Sequence, residues 1–258
     1  MITNASYHWL ARALSSPGVR HEKAGVPCQD ANYWKILNDN ILVAGVADGA
    51  GSAEQSEVGA NLAVSIAVET IYEALLHSSE EIIDWRLVLS DALKSAQKAI
   101  ESEAIARNIE TRDLATTLIL VVASPDIVVA GQVGDGAVVI EDDKGNIIGL
   151  TKPNIGEHIN ETTFITATDA QDSLMIEEWH GTVAHIAVFS DGLQMLALNM
   201  PEGTPYIPFF SSLFRFLSDI NSEQKLEEQL SILLQSPRVR ERADDDLTLL
   251  LACLHQIK

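Results

Sequence analysis

The sequence predicts an α+β fold in which antiparallel strands are backed by paired helices, and three features carry that expectation. Ile41 to Ala47 is a run of seven small and β-branched residues, the composition of a strand buried on both faces, and Asp48-Gly49-Ala50-Gly51 stops it abruptly. Glu54 to Leu76 and then Ser78 to Asn108 repeat apolar residues close to a 3.6-residue period, so two long helices should pack as an antiparallel pair on a sheet. Four short apolar runs follow, Ala115 to Ala123, Ile127 to Val133, Ala137 to Glu141 and Ile147 to Leu150, with the turn-separated spacing of a β-meander.

Taken in order, Ser6 to Leu14 alternates in part and predicts an edge strand, ended by Ser15-Ser16-Pro17-Gly18. Val19 to Asp30 is expected to be a polar loop. Ala31 to Leu37 should pair with Ile41 to Ala47 across a turn at Asn38-Asp39-Asn40, so Asp30 and Asp48, from the two ends of that hairpin, would approach one site. The Ser-Ser-Glu-Glu run around Ser79 resembles a cap with acidic residues in the first turn of the second helix. Thr151 to Asp172 is polar, and Lys152 to Thr162 within it predicts a long loop of about a dozen residues. Strands are expected at Ser173 to Trp179 and Val183 to Phe189, helices at Leu193 to Asn199, Phe209 to Leu217 and Ser222 to Leu234. The aliphatic Leu247 to Leu254 should close the chain as a central strand.

Aspartates recur where apolar runs begin or end. Asp48, Asp135 and Asp191 each follow a strand and precede glycine, and Asp245 opens the last one. Asp-Gly after a strand is also a common hairpin turn, so no single instance decides the matter. Were those strands neighbours in a sheet, four carboxylates would meet, and such a cluster repels itself unless a hard divalent cation such as magnesium or manganese is present. Arg20, His21 and Lys23 form a local positive patch beside Asp30; they are either solvated or placed to attract an anion such as phosphate.

Composition narrows the function. The chain has 258 residues, 47% of them hydrophobic and 21% charged, which fits one globular domain over 1–258. A net charge of −20 makes nucleic acid and anionic membrane poor partners. Only Cys28 and Cys253 are present, so a disulfide framework is not expected and a cytoplasmic, reducing location is favoured. No apolar run is expected to approach the ~20 residues that span a bilayer.

With these motifs in view, the chain resembles the metal-dependent Ser/Thr protein phosphatases of type 2C, in a divergent bacterial-type branch. The resemblance rests on Cys28-Gln29-Asp30-Ala31, Val46-Ala47-Asp48-Gly49-Ala50-Gly51, Thr116-Thr117, Gly134-Asp135-Gly136, Ser190-Asp191-Gly192 and Asp245-Asp246-Leu247-Thr248, in that order. It implies a four-layer α-β-β-α sandwich, two central antiparallel sheets flanked by helix pairs. It also implies roles: Asp48 bridging two Mn2+ or Mg2+ ions, with the Gly49 carbonyl, Asp191 and Asp245 completing them. Asp135 would serve a third ion with Asp191, and Asp30 would hold the attacking water, which a metal activates without any protein nucleophile. Gln29 and Asp246 would lie beside these ligands, and a phosphorylated protein, opposing a Ser/Thr kinase, would be the substrate. The chain departs from the family where its phosphate-binding Arg is replaced by Gly25, which leaves His21 or Lys23 to take that part. Gln29 stands where many members have Glu, Asp246 replaces the usual Asn, and Ala50 removes a His that some members carry. A catalytically weak phosphoprotein-binding module and a small-metabolite phosphohydrolase are the alternative functions.

Overall fold

A computed structural model describes residues 6–78, 82–153, 162–220 and 222–257. The chain opens with β1 (Ser6–Ser16) and a short helix α1 (Val19–Ala24), which ends where Gly25 takes a left-handed φ of 67°. A hairpin of β2 (Ala31–Leu37) and β3 (Ile41–Ala47) follows, turned by Asn38 and Asp39 at positive φ, a conformation that short polar side chains tolerate. Two long helices come next, α2 (Ser56–Leu76) and α3 (Trp85–Arg107). Beyond a 3-10 turn at Thr111–Leu114 lie β4 (Leu118–Ala123), β5 (Ile127–Val133), β6 (Ala137–Asp142), β7 (Ile147–Gly149), β8 (Met175–His180) and β9 (Val183–Phe189). A second 3-10 turn, Asp191–Leu193, leads into α4 (Gln194–Ala197) and the two-residue strands β10 (Leu198–Asn199) and β11 (Thr204–Pro205). Three helices, α5 (Ile207–Ser218), α6 (Glu223–Leu234) and α7 (Pro237–Arg240), precede the last strand, β12 (Leu247–Ile257).

Two antiparallel sheets of five strands face each other, in the orders β2-β3-β4-β5-β8 and β1-β12-β9-β6-β7. Strand β3 shows why its sequence is apolar throughout. Leu42, Ala44 and Val46 point into the core between the sheets, while Val43 and Ala47 point into the core beneath α2 and α3. A third apolar core lies between the second sheet and α5 and α6, with Phe189, Phe210 and Phe214 at its centre. The layers are therefore helix, sheet, sheet and helix, as the family resemblance implied.

Several expectations are corrected. The predicted meander is split between the sheets: β4 and β5 pair in one, β6 and β7 in the other, and the chain crosses over at Gly134-Asp135-Gly136. Val19 to Asp30 is not all loop, since it contains α1. Helix α3 begins at Trp85, where the Asp84 carboxylate accepts from the Leu87 amide at 3.1 Å; the cap expected around Ser79 falls on 79–81, outside the described residues. The helix expected over Leu193 to Asn199 is one turn of α4 that gives way to β10. Most of the predicted long loop, 154–161, lies outside the described residues. Finally, α2 is long and apolar enough by length and composition to cross a membrane, with mean hydropathy 1.3, against the expectation of no such run. Here Ala60, Ala63, Val64, Ala67, Val68 and Ile71 on it are buried against α3 and the sheet.

Candidate metal centre

The site lies where the two sheets end together. Ala31 pairs with Ala47, so Asp30 and Asp48 flank the same open end of the β2-β3 hairpin. The backbone of Asp48 is fixed from β4: its carbonyl accepts from Thr116 Oγ1 (2.9 Å) and the Thr117 amide (2.8 Å), and its amide donates to Thr117 Oγ1 (2.9 Å). Gly49 follows because nothing larger fits. A Cβ there would stand 2.6 Å from the Gln29 carbonyl oxygen and 2.8 Å from Ser56 Cβ at the start of α2. Asp135 sits on the crossover between sheets, where Gly134 has φ 113° and presses on Thr117. Asp191 leaves the end of β9.

Asp48, Asp135, Asp191 and Asp245 do not come from neighbouring strands of one sheet, the arrangement the sequence suggested. Asp30 and Asp48 belong to the first sheet, Asp191 and Asp245 to the second, and Asp135 to the link between them. Carboxylate oxygens of Asp48, Asp135 and Asp191 lie within 4.8 Å of one another. Asp30 is buried beside them; its Oδ2 accepts from Ser190 Oγ at 2.7 Å, and Ser190 Oγ in turn accepts from the Thr248 amide at 3.0 Å. Asp135 Oδ2 accepts from Thr162 Oγ1 (2.7 Å), and the Asp135 carbonyl from Gln194 Nε2 (2.6 Å).

Charge is poorly satisfied here. Burial pushes the Asp48 carboxyl well above its ordinary range, and the charges of Asp30, Asp191 and Asp135 push the same way. Burial likewise raises Asp191 to about 7, with the charges of Asp135 and Asp245 adding to it. Asp30 also reaches about 7, chiefly through burial, against the pull of its hydrogen bonds to Ser190 and Thr248. Burial raises Asp135, partly offset by Thr162. Two buried oxygens, Asp30 Oδ1 and Asp135 Oδ1, have no hydrogen-bond partner among the described residues. A set of crowded, oxygen-only ligands with orphaned lone pairs fits hard divalent cations, which would reverse each of those shifts.

Comparison with known proteins agrees with this chemistry. Residues 17–231 match the protein phosphatase 2C family. The chain belongs to that family. Serine/threonine-protein phosphatase 3 of Escherichia coli (strain K12) is 39% identical to this phosphatase 2C protein over 255 residues, 95% of this chain and 98% of that one. A bacterial serine phosphatase of known structure shares the fold with a TM-score of 0.67 at 16% identity, covering 97% of this chain and 100% of that one. The catalytic domain of serine threonine protein phosphatase PstP, crystallised with 2 manganese ions, superposes with a TM-score of 0.58 at 15% identity, over 96% of this chain and 99% of that one.

The remaining site residues of this phosphatase 2C protein form a second group. Asp246, buried to 2% exposure, accepts from the Gly18 amide (2.7 Å) and the Gln29 amide (2.6 Å), and His21 Nδ1 lies 2.8 Å from its Oδ1. Asp245 is exposed and gathers with His21 and Asp246 within 4.8 Å, rather than with the other three aspartates, although its charge still acts on Asp135 and Asp191. Gln29 is buried with its Oε1 unpartnered, while Lys23 and Arg20 are exposed. Sequence reasoning missed Thr162 and Gln194, the two side chains that hold Asp135. They lie 27 and 59 residues from it, and no local pattern marks them.

Proposed function

We propose that this protein removes phosphate from phosphoserine and phosphothreonine in protein substrates by metal-dependent hydrolysis with manganese or magnesium. The observation that carries the reading is the gathering of Asp48, Asp135 and Asp191 beside buried, unpartnered oxygens of Asp30 and Asp135. Bound divalent cations would supply a water of lowered pKa and would screen the charge of a phosphate group. Asp48, the Gly49 carbonyl, Asp191 and Asp245 are assigned to a core pair of ions, and Asp135 with Asp191 to a third.

Asp30 is positioned to orient the attacking water. Ser190 holds Oδ2, so Oδ1 is left to accept a hydrogen bond or a proton. His21 has Nδ1 turned to the Asp246 carboxylate, so as the imidazolium it can donate from Nε2 to a phosphate oxygen, which makes it a better candidate than the exposed Lys23. An opposing Ser/Thr kinase supplies the substrate in this reading. Two free thiols, at Cys28 and Cys253, suit a reducing cytoplasm.

The test is release of phosphate from a phosphothreonine peptide with and without manganese, in the parent and in Asp48→Asn. Manganese-dependent turnover that vanishes in the variant is expected. Turnover that survives full chelation, or equal rates in the two proteins, would overturn the assignment.

A further inference from the structure

The helices over the second sheet do not close on each other. Along α5, Phe209, Leu213 and Phe216 recur at i, i+4 and i+7; along α6, Leu226, Leu230 and Leu233 do the same. Between these stripes lies a crevice of about 350 Å³, near the lower end of the ~300–1,000 Å³ that small-ligand sites occupy. Leu251 of β12 lines it from the sheet, and α7 adds Val239 and Arg238.

Volume decides the shape of an occupant. Leu226, Leu230, Val239 and Leu251 line the crevice and yet are only 0%, 1%, 2% and 2% exposed. Those residues form the floor, while Pro208, Ser212, Phe216, Gln229 and Ile232 at the mouth are exposed. A volume of about 350 Å³ suits one unbranched hydrocarbon chain rather than two turns of an α-helix ~10 Å across, which fill roughly 850 Å³.

Charge decides the other end of that chain. The sequence holds 37 Asp and Glu residues, but none is among the described residues that line the crevice. Its one charged lining residue is Arg238, which is exposed and has no hydrogen bond or ion pair with another described residue. Arg12, Arg107, Arg112 and Arg240 are each paired with a glutamate; of the arginines without an ion pair among the described residues, Arg20, Arg86, Arg215, Arg238 and Arg242, only Arg238 lines the crevice. A guanidinium left free beside an apolar slot selects an anion carried on a hydrophobic tail. We propose that the crevice between α5 and α6 binds a free single-chain amphiphile with an anionic head, its tail between the two helices and its head on Arg238.

Dodecanoate, kept below its micelle concentration and titrated calorimetrically into the full chain with chelator present, should bind one to one. Transfer of each methylene is worth about fourfold in affinity, so decanoate, two methylenes shorter, should bind about fifteenfold more weakly. Arg238→Gln should weaken dodecanoate at least about tenfold through loss of the charged contact. Leu233→Trp should fill the slot and abolish binding, and Asp48→Asn should leave it unchanged. Circular dichroism establishes that each variant is folded; if Leu233→Trp is not, the chain-length series and Arg238→Gln carry the test. Absence of binding by the folded parent would overturn the proposal, as would affinity indifferent to both chain length and Arg238→Gln. Association with vesicles of anionic phospholipid, without binding of free dodecanoate, would also overturn it and point to a membrane surface instead.

Discussion

Asp48, Asp135 and Asp191 meet as like charges short of partners, whereas Asp246 in the same cleft is saturated by two amides and an imidazole. Both groups are buried or nearly so, and the difference lies in what surrounds them. The first group is stable only with protons or cations among its oxygens, so it is built to bind. The second already has its donors within the protein and serves to tie the turn at Gly18, the helix α1 and the segment at Gln29 to the start of β12. One cleft thus divides its carboxylates between holding a ligand and holding the chain.

The largest effect should come from removing one charge of the unpaired group. Asp48→Asn is expected to lower turnover by about three orders of magnitude or more, while raising the melting temperature of the chelated protein because a repulsion has gone. Assay and calorimetry on the same sample would check both halves. A chelated variant no more stable than the parent would show that the cluster is not under charge stress.

The saturated group should respond in the opposite way. Asp246→Ala strands two buried amides and is expected to cost about 3 kcal/mol, whereas Asp246→Asn keeps one acceptor, turns its NH2 on only one of the two oxygen positions and should cost about half as much. Urea unfolding of the chelated proteins would measure the gap. Equal costs for Ala and Asn would erase the contrast between the two groups.

Next comes pH. The folded-state pKa values of Asp30 and Asp191, about 7, lie above the ~3.9 of an unfolded Asp, so the folded chain binds more protons between those values. Their contribution to stability is therefore greatest at low pH and is lost as pH rises through 7. Burial sets His185 and His255 below the ordinary histidine value, which opposes this trend below roughly pH 6.5. The chelated protein should accordingly gain melting temperature from about pH 8 down to about 6.5, and saturating manganese should flatten that slope. An unchanged slope with manganese would place the ion elsewhere.

The smallest effect is assigned to His21, which is 20% exposed at its side chain. His21→Ala should cost about 1 kcal/mol of stability, yet lower kcat/KM for a phosphopeptide about tenfold with manganese affinity kept. Kinetics identical to the parent would leave His21 as only a tether for Asp246.

Much of the site was legible because Asp48, Asp135 and Asp191 each end an apolar run and are followed by glycine, a local pattern with a local cause. The sheet to which each belongs was not. Val133-Gly134-Asp135-Gly136 looks like any hairpin turn, and only the facing of the two sheets turns it into a crossover. Asp244, Asp245 and Asp246 are equivalent as letters. Asp246 is distinguished by amides 217 and 228 residues away, a distance at which sequence pattern carries no information. Helix α1 escaped notice because six residues, four of them charged or imidazole, show no apolar period.

Strand β1 runs against β12 along its whole length, from Ser6 opposite Ile257 to Ser16 opposite Leu247, next to Asp246. Ten steps along a strand amount to roughly 30 Å. Any peptide spliced on before residue 6 or after 257 would thus leave the molecule at the pole away from the carboxylates. A purification tag or fluorescent fusion at either position would not shade the catalytic mouth. With both positions on adjacent strands, a short linker could join them, and the chain could be reopened at the exposed turn around Lys144 without moving any of the clustered carboxylates.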